Sequence, residues 1–233
     1  MQLYVGNTRL FLEDTARHTI ADKLQVNFQR FFGFRPSVSE LRSWRNSLQA
    51  LALHLTYANL KDNGMILEMQ LPLSSARLDC LLTGRDEKER DQAVILELKQ
   101  WEVAESCDID DCVVTFLAGK KRVLPHPSVQ VRNYKQYLLD TQTVYEEEPP
   151  LELSACSYLH NFTYDPASPL CEERFSRTLA QCPLFAGNQP EELRDFLRQR
   201  IGGEHGDEVL NRITSSKYRA SRKLLDHVAQ VIE

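Results

Sequence analysis

Val94-Ile95-Leu96-Glu97-Leu98-Lys99-Gln100-Trp101, the run VILELKQW, decides how this chain is read: it sets a carboxylate and an ammonium two residues apart in an otherwise apolar stretch. On a strand, period-two geometry places Ile95, Glu97 and Lys99 on one face and Val94, Leu96 and Leu98 on the other. A core strand carries such charges only where something compensates them. Either Glu97 and Lys99 pair with each other at a strand end, or they belong to a cation site that needs a second acid on a neighbouring strand. The run RLDCLLTG, Arg77 to Gly84, offers that acid as Asp79. Antiparallel neighbours bring Asp79 and Glu97 within reach of one hard cation.

Upstream, Lys61-Asp62-Asn63-Gly64 is a turn signal before a first strand over Met65 to Leu71. Inside it Glu68 either faces solvent or reaches the same cation. With turns at Pro72 to Ala76 and Gly84 to Gln92, a three-stranded antiparallel meander is expected. Before it, Thr19 to Phe32 has helical spacing and a stop at Gly33. A second helix starts at Ser37-Val38-Ser39-Glu40 and repeats Leu41, Trp44, Leu48, Leu51 and Leu55 at threes and fours. Glu40 is either a first-turn carboxylate favoured by the helix dipole or a further acid aimed at the site. Leu3 to Leu12 alternates poorly and reads as a strand or a docking arm.

Downstream, Val113 to Leu117 and Arg122 to Leu124 flank a basic tip and read as a hairpin. From Cys112 to Leu139 the chain has no acid but carries Lys120, Lys121, Arg122, Arg132 and Lys135, a strip suited to a phosphodiester backbone or to a solvated tip. A helix follows from Pro127 to about Asp140, with Gln130, Asn133, Tyr134 and Tyr137 on one face. Leu151 to Tyr158 reads as a further strand, and His160-Asn161 at its end either faces the site or anchors a loop. Beyond Ala167 the texture becomes helical and charged, over Glu191 to Ile201, Asp207 to Ile213 and a basic start at Ser215 to Glu233. The expectation is an α/β core with a mixed central sheet flanked by helices over residues 1–165, and a helical appendage or connection over 166–233.

The order Asp79, Glu97-Leu98-Lys99 resembles the signature of the PD-(D/E)XK nuclease superfamily, with Leu78 standing where the motif has proline. More closely, the runs SELRSW, RLDCLLTG, ILELKQW, HPSVQVRNY and YLHN look like the N-terminal nuclease-like domain of bacterial proteins that continue into a helicase-like ATPase. Gln130 and Tyr134 match the Q-x-x-x-Y element of exonuclease domains fused to recombination helicases. The resemblance implies a restriction-endonuclease-like core in which Asp79, Glu97 and the Leu98 carbonyl hold Mg²⁺ or Mn²⁺. It also implies that Lys99 orients or deprotonates the attacking water or neutralises developing charge, that Gln130 positions water or phosphate, and that Tyr134 supports the helix. Glu40 and Glu68 would be accessory acids. An ATPase domain or partner would follow, and the biological setting would be DNA repair or defence against foreign DNA.

Composition bounds these readings. The 233 residues are 42% hydrophobic and 26% charged, in the range of a folded globular chain. No apolar run approaches the roughly 20 residues of a membrane span, and the start lacks a secretory pattern, so a cytoplasmic protein is expected. Six cysteines without C-x-x-C spacing point to reduced thiols rather than zinc or disulfides. There is no G-x-x-x-x-G-K-[ST] loop, G-x-S-x-G or H-E-x-x-H. The leading expectation is a metal-dependent deoxyribonuclease acting on DNA, with RNA and a homo-oligomer both compatible. The alternatives are a catalytically weak nucleic-acid-binding or regulatory module of a helicase-like protein, and an interaction domain in which Glu97 and Lys99 merely pair.

Overall fold

The computed structural model describes residues 1–219 except Leu73 and Ala118, so most of the helix expected over Ser215–Glu233 lies outside the described residues. In chain order the elements begin with β1 (Gln2–Asn7), α1 (Thr8–Ala16), α2 (Ile20–Phe32) and α3 (Val38–Tyr57). Then come β2 (Gly64–Gln70), β3 (Arg77–Arg85) and β4 (Asp91–Lys99), the hairpin β5 (Cys112–Leu117) and β6 (Lys120–Pro125), and α4 (Pro127–Thr141). The last described elements are β7 (Glu152–Leu159), α5 (Ser176–Gln181), β8 (Leu184–Ala186), α6 (Pro190–Ile201) and α7 (Gly206–Ser215).

The protein is α/β. Six strands form one sheet in the order β1-β2-β3-β4-β7-β8, while β5 and β6 pair separately. The four strands from β1 to β4 run antiparallel to their neighbours, and β7 and β8 join in parallel, so the sheet is mixed. A parallel pair needs a long crossover. Here the segment between β4 and β7 carries the hairpin and α4.

All of β4 but its last residue is buried, as a strand covered on both faces requires. One core joins Val94, Leu96 and Leu98 to Leu24 and Phe28 of α2, Leu51 and Leu55 of α3, and Leu197 of α6. The opposite core joins Ala93 and Ile95 to Val131 and Leu138 of α4 and Val209 of α7. Glu97 therefore lies on the α4 face. α2 ends as its sequence expects, with Gly33 at φ 77° donating its N–H to the Gln29 carbonyl. Ser37 caps α3 by accepting from the Glu40 N–H.

Two expectations are refined. Of the two readings of Leu3 to Leu12, the strand holds as far as Asn7, as the edge strand β1, and α1 follows directly with Asn7 as the helix cap. The stretch after 165 is not purely helical, since β8 extends the sheet beside β7. α6 and α7 pack into the two cores named above, so the expected break at 165–166 does not coincide with a change of core.

Candidate active site

The site forms where the β3–β4 ladder opens. Regular pairing ends at Cys80 opposite Leu96, and beyond it the Asp79 carboxylate takes the place of a ladder acceptor: its Oδ2 accepts the Leu98 N–H at 2.7 Å. Glu97, 1% exposed, accepts at Oε1 from Lys99 Nζ at 2.7 Å and from Gln130 Nε2 at 2.7 Å. The Gln130 amide also donates to the Tyr134 hydroxyl at 2.7 Å, one turn along α4. Glu97 Oε2 is buried with no hydrogen-bond partner among the described residues. A buried carboxylate oxygen left bare is costly and calls for a function.

Burial pushes the Glu97 carboxyl up to about 7, with the Asp79 charge adding to the rise and Lys99 opposing it. Burial also raises Asp79, against the pull of Lys99, the Leu98 N–H and Arg77. The Lys99 ammonium is raised: burial opposes its charge, but Glu97 and Asp79 outweigh that effect. One cation thus serves two mutually repelling acids.

A second acid pair lies toward α3. Glu68 adopts φ 54° in the middle of β2, a left-handed conformation that a non-glycine residue holds only when its surroundings impose it. This turn exchanges the faces of the strand: Met65 and Leu67 enter the α3-side core, whereas Met69 enters the α4-side core. The Glu68 carboxylate, 6% exposed at the residue level, accepts from Trp44 Nε1 at 2.8 Å and pairs with Arg77. Arg77 also pairs with Glu40 and lies near the Phe28 and Trp44 rings, 5.6 and 5.9 Å from their centroids. Burial, then Asp79, lifts Glu68 to about 8 despite Arg77 and Trp44. Glu40, Glu68, Arg77 and Asp79 line an open cleft of about 730 Å³.

Among the described residues, no group of three or more His, Cys, Asp or Glu side chains is arranged to hold a metal ion. The donors that fit a hard cation are the carboxylates of Asp79 and Glu97, and the bare Glu97 Oε2 is the observation in favour of that fit. Leu98 is placed beside them, through an N–H that Asp79 engages.

The structure thus brings Asp79, Glu97, Lys99, Gln130 and Tyr134 together, with Glu68 and Glu40 on the other side of Asp79 held by Arg77. The basic strip is dispersed. Lys120 and Arg122 are exposed on β6, while Lys121 pairs with Glu105 at 2.6 Å. Arg132 donates to Thr178 Oγ1 at 2.8 Å and lies 3.6 Å from Asp111, and Lys135 is half-buried on α4. His160 and Asn161 tie α3 to the sheet: His160 Nε2 lies 3.1 Å from Ser47 Oγ and Nδ1 lies 3.0 Å from Asn161 Oδ1. The sequence reading missed Arg77, although an Arg two residues before Asp79 on one strand shares its face. Trp44 was read only as a core residue and also donates to Glu68.

Compared with models of protein families, with curated proteins and with solved structures, the chain matches none. Among the described residues no helix is long and apolar enough to cross a membrane.

Proposed function

We propose that this protein is a metal-dependent nuclease that hydrolyses phosphodiester bonds in DNA, using a PD-(D/E)XK-type site on a restriction-endonuclease-like core. The observation that carries the reading is Glu97, whose Oε1 is held by Lys99 and Gln130 while Oε2 is buried and bare, on a carboxyl that feels the Asp79 charge. Asp79 and Glu97 would hold Mg²⁺ or Mn²⁺, and the bound ion would supply Lewis-acid polarisation of the phosphate and a more acidic water. Lys99 Nζ, fixed on Glu97, supplies positive charge where the attacking oxygen and phosphate develop negative charge. Gln130 orients the Glu97 carboxylate, and Tyr134 fixes the Gln130 amide. Lys120 and Arg122 are exposed cations for backbone contacts that read no sequence. DNA repair and defence against foreign DNA are the settings this activity suits, with a helicase-like ATPase as the proposed neighbour.

The test is Mn²⁺ binding by calorimetry and cleavage of labelled single- and double-stranded DNA, on the wild type, Asp79→Ala and Lys99→Ala. Cleavage by the wild type, lost in both variants with folded melting curves, is expected. Cleavage that persists in both variants would refute the assignment. A second reading, a catalytically weak DNA-binding or regulatory module, draws on one observation: Lys99 and Arg77 already neutralise the acids without a metal. DNA binding unaffected by chelator, with no cleavage, would select it.

A further inference from the structure

The segment from α2 into α3, Phe28-Gln29-Arg30-Phe31-Phe32-Gly33-Phe34-Arg35-Pro36-Ser37, interleaves four phenylalanines with two arginines. Phe32 lines the acid cleft, together with Ser37 and Ser39 at the start of α3. The Phe34 ring centroid lies 5.9 Å from that of Phe32 and 5.4 Å from that of Phe28, yet Phe34 remains 60% exposed. Phe31, 54% exposed, and Arg30 face a separate groove between α2 and β1. Large aromatic faces left in water beside a polar cleft mark an interaction site rather than a core.

The charge around them is one-sided. Arg35 and Arg42 are exposed and form no ion pair or hydrogen bond among the described residues, while Glu40 is occupied by Arg77. Unpaired guanidiniums next to exposed rings suit a flexible polyanion whose flat groups are free to stack, because phosphates meet the cations while bases meet the ring faces. A duplex offers the cations but hides its base faces.

We propose that this aromatic and basic segment is a platform for single-stranded DNA, with a base stacking on Phe34 and phosphates on Arg35 and Arg42. The platform feeds an unpaired strand into the cleft toward Asp79. That last step rests on the nuclease reading, whereas the platform itself does not. The platform also supplies the net positive surface that the acid floor of the cleft lacks.

Fluorescence anisotropy tests it, with a labelled oligothymidylate and a duplex of the same length, in EDTA so that no cleavage occurs. The wild type is expected to bind the single strand more tightly than the duplex. Phe34→Ala is expected to weaken single-strand binding roughly tenfold, the loss of one stacked base, and Phe34→Trp to restore it. Arg35→Ala lowers the slope of log affinity against log salt by about 0.7. Because both target residues are exposed, their variants should melt with the wild type. If Phe34→Ala melts early, Arg35→Ala and its salt slope still decide the matter. Equal binding by wild type, Phe34→Ala and Arg35→Ala would overturn the platform. So would a preference for duplex, or no DNA binding at all. Tight single-strand binding with no cleavage in Mn²⁺ would keep the platform and remove the nuclease reading.

Discussion

Replacing Arg77 by methionine removes the cation between Glu40 and Glu68 while keeping an unbranched apolar stem beside Phe28 and Trp44. Breaking a buried pair from one side costs about 3–5 kcal/mol. Two features place Arg77→Met lower: the arginine side chain is 24% exposed, and Glu68 escapes its uncompensated charge by taking up a proton. The expected loss is therefore about 2–3 kcal/mol near pH 9. For a chain of this size that is a fall in melting temperature of roughly 4–12 °C.

The pH dependence follows from the sign of the shift. Glu68 in the folded state, at about 8, lies above its ordinary value of 4.5. Its contribution to stability is fully present below pH 4.5 and is lost as pH rises through 8. Arg77 lowers the folded value, so removing it extends that loss and makes the deficit of Arg77→Met larger at pH 9 than at pH 5. Adding Glu68→Gln to Arg77→Met should recover most of the deficit at pH 9, because no buried charge is then left behind. Urea unfolding at both pH values, for the two single variants and the double, measures the coupling. A deficit below about 0.5 kcal/mol at pH 9, or one equal at the two pH values, would refute the argument, since surface changes lie in that range.

Three further outcomes are expected. His126 is held neutral by two partners, Nδ1 accepting from the Ser128 N–H and Nε2 donating to the Leu170 carbonyl, and burial lowers it to about 4. Its contribution is present above about pH 6.5 and is lost as pH falls to 4, at up to about 1.4 kcal/mol per pH unit, so His126→Gln should flatten an acid-denaturation curve. Gly206→Ala would put a Cβ 2.4 Å from Asn63 Cα and 2.5 Å from Gly64 N, so it should cost about 1–3 kcal/mol in a denaturant titration. Mn²⁺ at a hundred times its dissociation constant should stabilise the wild type by about 2.7 kcal/mol, seen as a raised melting temperature that EDTA reverses and Glu97→Gln abolishes.

The features legible in the sequence were those written within one element. The alternation of β4, the capping serine and apolar repeat of α3, and the Gln130 to Tyr134 spacing on α4 each follow from local geometry. The meander β2-β3-β4 followed because its turns are short. What escaped depends on distant neighbours. ILEM reads as plain alternation at Glu68, and nothing local announces its φ of 54°, which accompanies bonds to Trp44 and Arg77. The three-residue β8 is too short to leave a period and is held by pairing with β7. Arg77 was passed over because a strand-end arginine is ordinary until the acids around it are known.

The bond from the Leu98 N–H to Asp79 Oδ2 gives the molecule an internal reporter. An amide that donates to a carboxylate shifts its proton resonance when that carboxylate changes charge or bonding. The Leu98 cross-peak in a nitrogen–proton correlation spectrum therefore reads the state of Asp79 directly, without substrate, turnover or label in the cleft. Its movement during a titration with metal or DNA would tell which of the two reaches the carboxylate.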